Sequence, residues 1–133
     1  MLQLFLVASG GVFGAVTRYS LSNFLKIFFN NSIYATLCIN VIGSFLVGYL
    51  ISLGYTKNIS VNFIKYFLII GFFGSFTTFS AFSYEVVELF LSNKINLSFF
   101  YIIFSVILCI LSAYLGMYIN KICSMDAYKY FIN

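Results

Sequence analysis

The chain contains no proline, no histidine and no tryptophan, and only 8% of its 133 residues are charged. Each shortage closes off a class of function. Without histidine, the common metal sites and most acid–base arrangements lose their principal player. No nucleophile–base pair or metal-ligand set can be assembled from the remaining residues, so an enzyme is not expected. Cysteine is scarce as well: Cys38 and Cys109 fall within apolar stretches and Cys123 just after one. An odd number, two of them at membrane depth, argues against a disulfide framework. The chain opens Met1-Leu2-Gln3-Leu4, without the basic region that begins a secretory signal peptide, so the first apolar stretch is expected to be retained.

What the chain does have is apolar surface, with 62% of its residues hydrophobic. That is a membrane composition. Four spans are expected, at about 2–28, 33–54, 61–91 and 97–122, giving an all-α integral membrane protein with a single transmembrane domain over 1–122. No repeat, low-complexity segment or soluble domain stands out. The short tail 123–133 is expected to be disordered or to lie along the membrane interface. The net charge of +4 does not read as nucleic-acid binding, because the seven basic residues are scattered. With four spans, Lys57, Lys65, Lys121 and Lys129 share one side and Lys26 and Lys94 the other, with Arg18 too deep to assign. Four against two is a thin positive-inside bias, and a bundle so unbiased is compatible with insertion both ways up.

The third span carries the most information. Residues 61–91 would make a helix of about 46 Å, longer than a hydrocarbon core of about 30 Å. Near its middle lies Gly71-Phe72-Phe73-Gly74-Ser75-Phe76-Thr77-Thr78-Phe79-Ser80-Ala81-Phe82. Glycines and hydroxyls at this depth predict a helix that breaks and restarts. Irregular backbone in a membrane survives only where it is buried in protein or lines a watery cavity, so the break points to an ion or substrate site.

Polar residues in the other spans fall on faces. Gly10, Gly14 and Arg18 are four apart on the first helix, and the glycines admit another backbone at close range. Arg18 either snorkels to an interface or finds a carbonyl, water or an acid inside. On the second helix Thr36 and Asn40 are four apart, followed by Gly43 and Ser44. Asn40 is a candidate ligand, or glue between helices. Tyr101, Ser105 and Cys109 recur every four residues on the fourth helix. The hydroxyls of this weakly polar stripe could serve an anion or their own helix's carbonyls. Phe79 and Phe82, three apart, could turn their positive ring edges to a narrow pore. In a chain with 18 phenylalanines, packing is the plainer reading for any one of them. Glu85 has three readings: proton coupling, a partner for Arg18, or an interfacial charge. Glu88 is read as interfacial.

Three patterns then combine: Gly10-Gly11-x-x-Gly14-Ala15-x-x-Arg18-Tyr19, Asn40-Val41-x-Gly43-Ser44-Phe45-x-x-Gly48, and Gly71-Phe72-x-Gly74-x-x-Thr77-Thr78-Phe79-Ser80-x-Phe82. Their order and spacing, over residues 4 to 120, resemble the Fluc/CrcB fluoride channel family. The resemblance implies an antiparallel, dual-topology homodimer in the bacterial-type inner membrane, with two fluoride pores at its interface. It also implies a structural, non-transported sodium ion at the dimer centre, held by the backbone carbonyls of Gly74 and Thr77. By position, Phe79 and Phe82 match the pore phenylalanines, Asn40 the pore asparagine and Thr36 a nearby hydroxyl. Tyr101 and Ser105 match the polar track on the fourth helix. Two departures stand out: Cys109 occupies a position that is usually another hydroxyl, and Ser75 replaces a common glycine beside the sodium site.

The physics fits this expectation. A small, tightly hydrated anion needs close donors that replace water without holding it too firmly, and hard carbonyl oxygens contributed equally by two chains suit sodium on a two-fold axis. The competing reading is a proton-coupled small multidrug-type exporter, which relies on a carboxylate in its first helix. This chain has none there. A non-conducting assembly subunit is a third possibility.

Overall fold

The structure is a computed structural model describing residues 1–56 and 62–132, with side chains described for 1–53 and 62–119. The connection that carries Lys57, and the side chains of Lys121 and Lys129, lie outside the described residues. The elements in order are α1 (Leu2–Phe29), α2 (Ser32–Thr56), a π-helix π1 (Phe63–Phe73), a single turn α3 (Gly74–Phe76), α4 (Phe79–Leu91) and α5 (Ile95–Ile132). No strand occurs among the described residues. Four stretches are long and apolar enough to cross a membrane: Leu2–Phe29, Ser32–Leu53, Phe63–Leu91 and Ile95–Ile119. These are the four expected spans, and the chain is a multi-pass membrane protein.

Two tight connections set neighbouring helices side by side, and asparagine makes both. Asn30 ends α1 in the left-handed region (φ 52°), with its N–H on Lys26 O at 2.9 Å. Asn31 Oδ1 then accepts from Ile33 N–H at 3.0 Å, satisfying a donor at the start of α2. Asn93 (φ 58°) repeats the device after α4: Asn93 N–H bonds Phe90 O and Lys94 N–H bonds Leu89 O. This is the paired closure that ends a helix on a left-handed residue, a conformation asparagine tolerates better than most side chains do.

Glycine seams hold the helices together. On α1, a Cβ at Gly10 would run into Phe67 O, and one at Gly14 into the backbone of Phe72. Val7 O lies 2.8 Å from where a Gly71 Cβ would sit, so α1 and π1 touch backbone to backbone. The first half of the third span is wound more widely than the α-helix the sequence suggests, and Gly74 N–H reaches back five residues to Ile69 O. In such a coil residues five apart stack by about one turn. That puts Phe67 O and Phe72 N on the same side, both against Gly10. A second seam joins α2 to α5, where Gly48 faces the backbone of Ala113 and Gly116 that of Phe45. Ser112 Oγ adds a hydrogen bond to Val41 O at 2.8 Å across this seam.

The third span does break. Phe76 ends α3, Thr77 (φ −78°, ψ 151°) and Thr78 (φ −144°, ψ 117°) are extended, and α4 restarts at Phe79. Gly43 on α2 makes room beside this break, since a Cβ there would collide with Thr77 Cγ2 and crowd the Phe76 ring at 3.2 Å. Beyond the fourth span, the α5 backbone continues to Ile132, through the segment read from sequence as disordered or interfacial. Gly116 is the last glycine and the chain has no proline, so residues 117–132 contain neither of the two strongest helix breakers.

Gly14→Val should therefore be far more damaging than Gly11→Ala, whose new Cβ would meet only Ser75 Oγ at 3.3 Å. Thermal unfolding of the detergent-solubilised protein should show G14V destabilised by about 3 kcal/mol or more and G11A by less than about 1.

Candidate functional site

The break leaves peptide groups without helical partners, and one side chain takes them up. Asn40 Oδ1 accepts from Thr78 N–H at 2.8 Å while Asn40 Nδ2 donates to Thr78 O at 3.1 Å. The amide of α2 thus clamps both polar groups of a residue that continues neither helix. Thr78 Oγ1 in turn accepts from Ala81 N–H at 3.2 Å and caps α4. These bonds divert two donors. In an unbroken helix Thr78 N–H would close on Gly74 O, and Ala81 N–H on Thr77 O. The two carbonyls the resemblance assigns to sodium are among those at the break that lose their regular helical donors. Ser75 lies in the helical turn of α3 and is not among the positive-φ residues, so its side chain is accommodated there.

Midway along α4, Glu85 is 5% exposed. Thr36 Oγ1 donates to Glu85 Oε1 at 2.8 Å, and the Tyr101 hydroxyl donates to Glu85 Oε2 at 2.7 Å. The carboxylate therefore ties α2, α4 and α5 together. Glu88, three residues on, is exposed.

Phe79, Phe82 and Tyr101 form a continuous aromatic row. The Phe79 and Phe82 centroids lie 5.4 Å apart, and those of Phe82 and Tyr101 5.1 Å apart. Phe82 is 8% exposed and Phe79 77%, so the row runs from the interior of the protomer to its outer face. Ser105, one turn beyond Tyr101, is buried, and its Oγ has no hydrogen-bond partner. Further along the same face, half-buried Cys109 sits against Ser44 of α2.

Arg18 is half-buried. It lines an open cleft of about 250 Å³ with Tyr19, Ser22, Asn23 and Lys26 of α1, Thr36 of α2, and Thr78 and Glu85 around α4. Gly10 and Gly14 lie on the same helix face but serve the seam with π1 instead.

A family model described as CrcB-like protein, Camphor Resistance (CrcB), matches residues 5–117. The chain belongs to the CrcB family. Its relatives include a protein of Bacillus cereus named Fluoride-specific ion channel FluC 2, 41% identical over 123 residues that cover 92% of this chain and all of that one. Proteins named Fluoride-specific ion channel FluC are 39% identical in Campylobacter hominis, covering 87% of this chain and 93% of theirs, and 34% in Dehalococcoides mccartyi, covering 94% and 97%.

In this CrcB-family chain the fold brings Phe79, Phe82, Tyr101 and Ser105 into one row and places Thr36 against Tyr101 through Glu85. Asn40 stands at the break, and Arg18 opens the cleft beside Glu85. Sequence reasoning did not find the target of Asn40, the partners of Glu85, or Ser98, whose buried hydroxyl bonds Val86 O at 3.2 Å. Only the polar character of Asn40 and Ser98 at apolar depth signalled that each needed a partner.

Replacing Asn40 with leucine should remove both bonds to Thr78 and leave its N–H and C=O unpaired. The melting temperature in detergent should fall by an amount equivalent to about 2–4 kcal/mol. A variant as stable as the parent would show that water or another group takes over the clamp.

Proposed function

We propose that this chain is a fluoride-selective channel that works as an antiparallel homodimer and passively exports fluoride across the plasma membrane, lowering its cytoplasmic concentration. The observation that carries this reading is the 41% identity, over 92% of this chain, to a relative named as a fluoride-specific ion channel. The site supports it with a graded set of weak donors. Fluoride would pass along the Phe79–Phe82 edges, the Tyr101 and Ser105 hydroxyls, Thr36 and the second amide hydrogen of Asn40. Ser105 supplies a buried hydroxyl with no other partner. The hydroxyl protons of Thr36 and Tyr101 are donated to Glu85, so they reach fluoride only when the carboxylate releases them. Each donor carries a partial charge rather than a full one, which favours passage over trapping.

The exposed Phe79 supports a partner subunit in this reading, because a ring at the end of the row needs a second wall to face. A structural sodium ion at the two-fold is part of the same proposal. The carbonyls of Gly74 and Thr77 would hold it, being hard oxygen donors that the break deprives of their helical partners. The ion would neutralise carbonyl dipoles converging from two chains. The exporter reading draws its support from Glu85, an acid buried at membrane depth.

Purified protein in liposomes should release fluoride, read with a fluoride electrode, without releasing chloride. Phe79→Ile or Phe82→Ile should slow that release by about tenfold, a barrier increase of ~1.4 kcal/mol, while the dimer persists. Chloride release at a similar rate, or drug-driven proton movement, would turn the assignment toward another transporter class.

The sodium proposal has its own test. A Cβ at Gly74 would meet only Ile69 O, at an ordinary 3.7 Å, so Gly74→Leu leaves the protomer intact and acts across the proposed two-fold. Wild-type flux should fall when sodium is replaced by an organic cation, and G74L should need more sodium for half-maximal flux. Flux indifferent to sodium in both proteins would remove the ion from the scheme.

A further inference from the structure

The cleft beside the site has a second cation that the reading so far leaves unused. Arg18, Ser22 and Lys26 are spaced four apart on α1, and all three line the cleft, with Tyr19 and Asn23 alongside. Eight residues of helix separate the two cations by about 12 Å along the axis. Lys26 therefore stands nearer the end of α1, in its last turn, and Arg18 deeper beside Thr78 and Glu85. The charged groups lining this cleft are Arg18, Lys26 and Glu85. Glu85 is the most withdrawn of the three, buried and with both carboxylate oxygens accepting hydrogen bonds from Thr36 and Tyr101. Lys26 is exposed, Arg18 half-buried and Glu85 buried, so an anion entering from the end of α1 would meet Lys26 first.

Lys26 also has a plain structural role. A cation in the last turn complements the partial negative charge at a helix C-terminus, and Lys26 O closes the Asn30 cap. That role requires only a position in the last turn. It does not require the side chain to line the cleft two turns above Arg18.

We infer that Lys26 is a throughput-determining residue, an outer electrostatic step that concentrates small anions in the cleft and passes them inward to Arg18. The inference rests on the proposed fluoride-channel reading and names a residue that sets its rate. A unit charge acting at about 10 Å through a mouth of intermediate polarity changes the local anion concentration by about two- to threefold. Selectivity is left to the aromatic and hydroxyl row, so neutralising Lys26 changes rate and not ion preference.

The test compares wild type with Lys26→Gln, Lys26→Glu and Lys26→Arg in liposomes, as fluoride flux per reconstituted protein at fixed fluoride and sodium. Ionic strength is varied with an impermeant organic salt, from about 10 mM, where the screening length is ~30 Å, to about 1 M, where it is ~3 Å. At low ionic strength K26Q should run about two- to threefold slower than wild type, K26E slower still, and K26R at the wild-type rate. At high ionic strength all four should converge, with fluoride still preferred over chloride and with unchanged melting temperatures. K26Q equal to wild type at both ionic strengths would overturn the inference and leave only the helix-end role. A deficit of the same size at both would also overturn it, as damage to structure and not to the field. Wild-type liposomes with no fluoride flux would instead sink the channel reading, and this inference with it.

Discussion

Two hydrogen bonds from one amide decide whether the third span can break at all. In hydrocarbon no water is on hand to satisfy a peptide that leaves a helix, and each unpaired group costs several kcal/mol. Asn40 meets both needs of Thr78 at once, accepting from its N–H and donating to its C=O. Everything downstream follows from that clamp. Thr78 is free to cap a new helix, α4 starts at a displaced origin, and the carbonyls of Gly74 and Thr77 are released from helical duty. Gly43, three residues after Asn40, keeps the neighbouring wall low enough for Thr77 and Phe76 to sit there. One helix face therefore supplies both the chemistry and the space that the break requires.

The glycine seams give the clamp its precision. Asn40 reaches Thr78 only because α2 is fixed against α5 through Gly48 and Gly116 while α1 is fixed against π1 through Gly10, Gly14 and Gly71. Backbone-to-backbone packing of this kind has almost no slack, since van der Waals contact replaces flexible side chains. Glu85 ties α4 to α2 and α5 near the middle of α4. A buried carboxylate is tolerable where hydrogen bonds stand in for its lost hydration, and here two hydroxyls on different helices do so. Thr36 and Asn40 are one turn apart on α2, so a single helix face holds α4 at its start and at its middle.

Much of this was legible in the chain itself. The four spans follow from apolar length, the break from Gly71, Gly74 and the Thr77-Thr78 pair, and the close α1 contact from the spacing of Gly10 and Gly14. Helical periodicity says which residues share a face, but it does not say what that face meets. The target of Asn40 is a peptide 38 positions away, and Glu85 gathers its donors from 49 and 16 positions away. No local pattern encodes those pairings; they depend on how three helices pack. The wide winding of π1 was hidden for a similar reason. Residues 63–73 are an ordinary apolar helical run, and the wider coil shows itself only where Phe67 and Phe72 meet Gly10 across the seam. Asparagine in left-handed turns at Asn30 and Asn93 was legible in type alone, since the residue permits that geometry without demanding it.

In the proposed homodimer a single protomer would supply one wall of the pathway. Phe82 and Tyr101 are inside the bundle, Phe79 is largely outside it, and the three rings touch in sequence. A row that begins in the core and ends on an open face has one wall. In a bilayer that open face must be covered either by lipid or by protein. Lipid tails offer no donor to an anion and would seal the row with hydrocarbon, whereas a second copy would present another aromatic edge and another set of hydroxyls. For a small, strongly hydrated anion, a wall built from many weak donors on two chains is easier to leave than one built from a single fixed charge. In the proposed channel, full charges on Arg18 and Lys26 in the cleft, kept out of the row of rings and hydroxyls, would separate the gathering of anions from their passage.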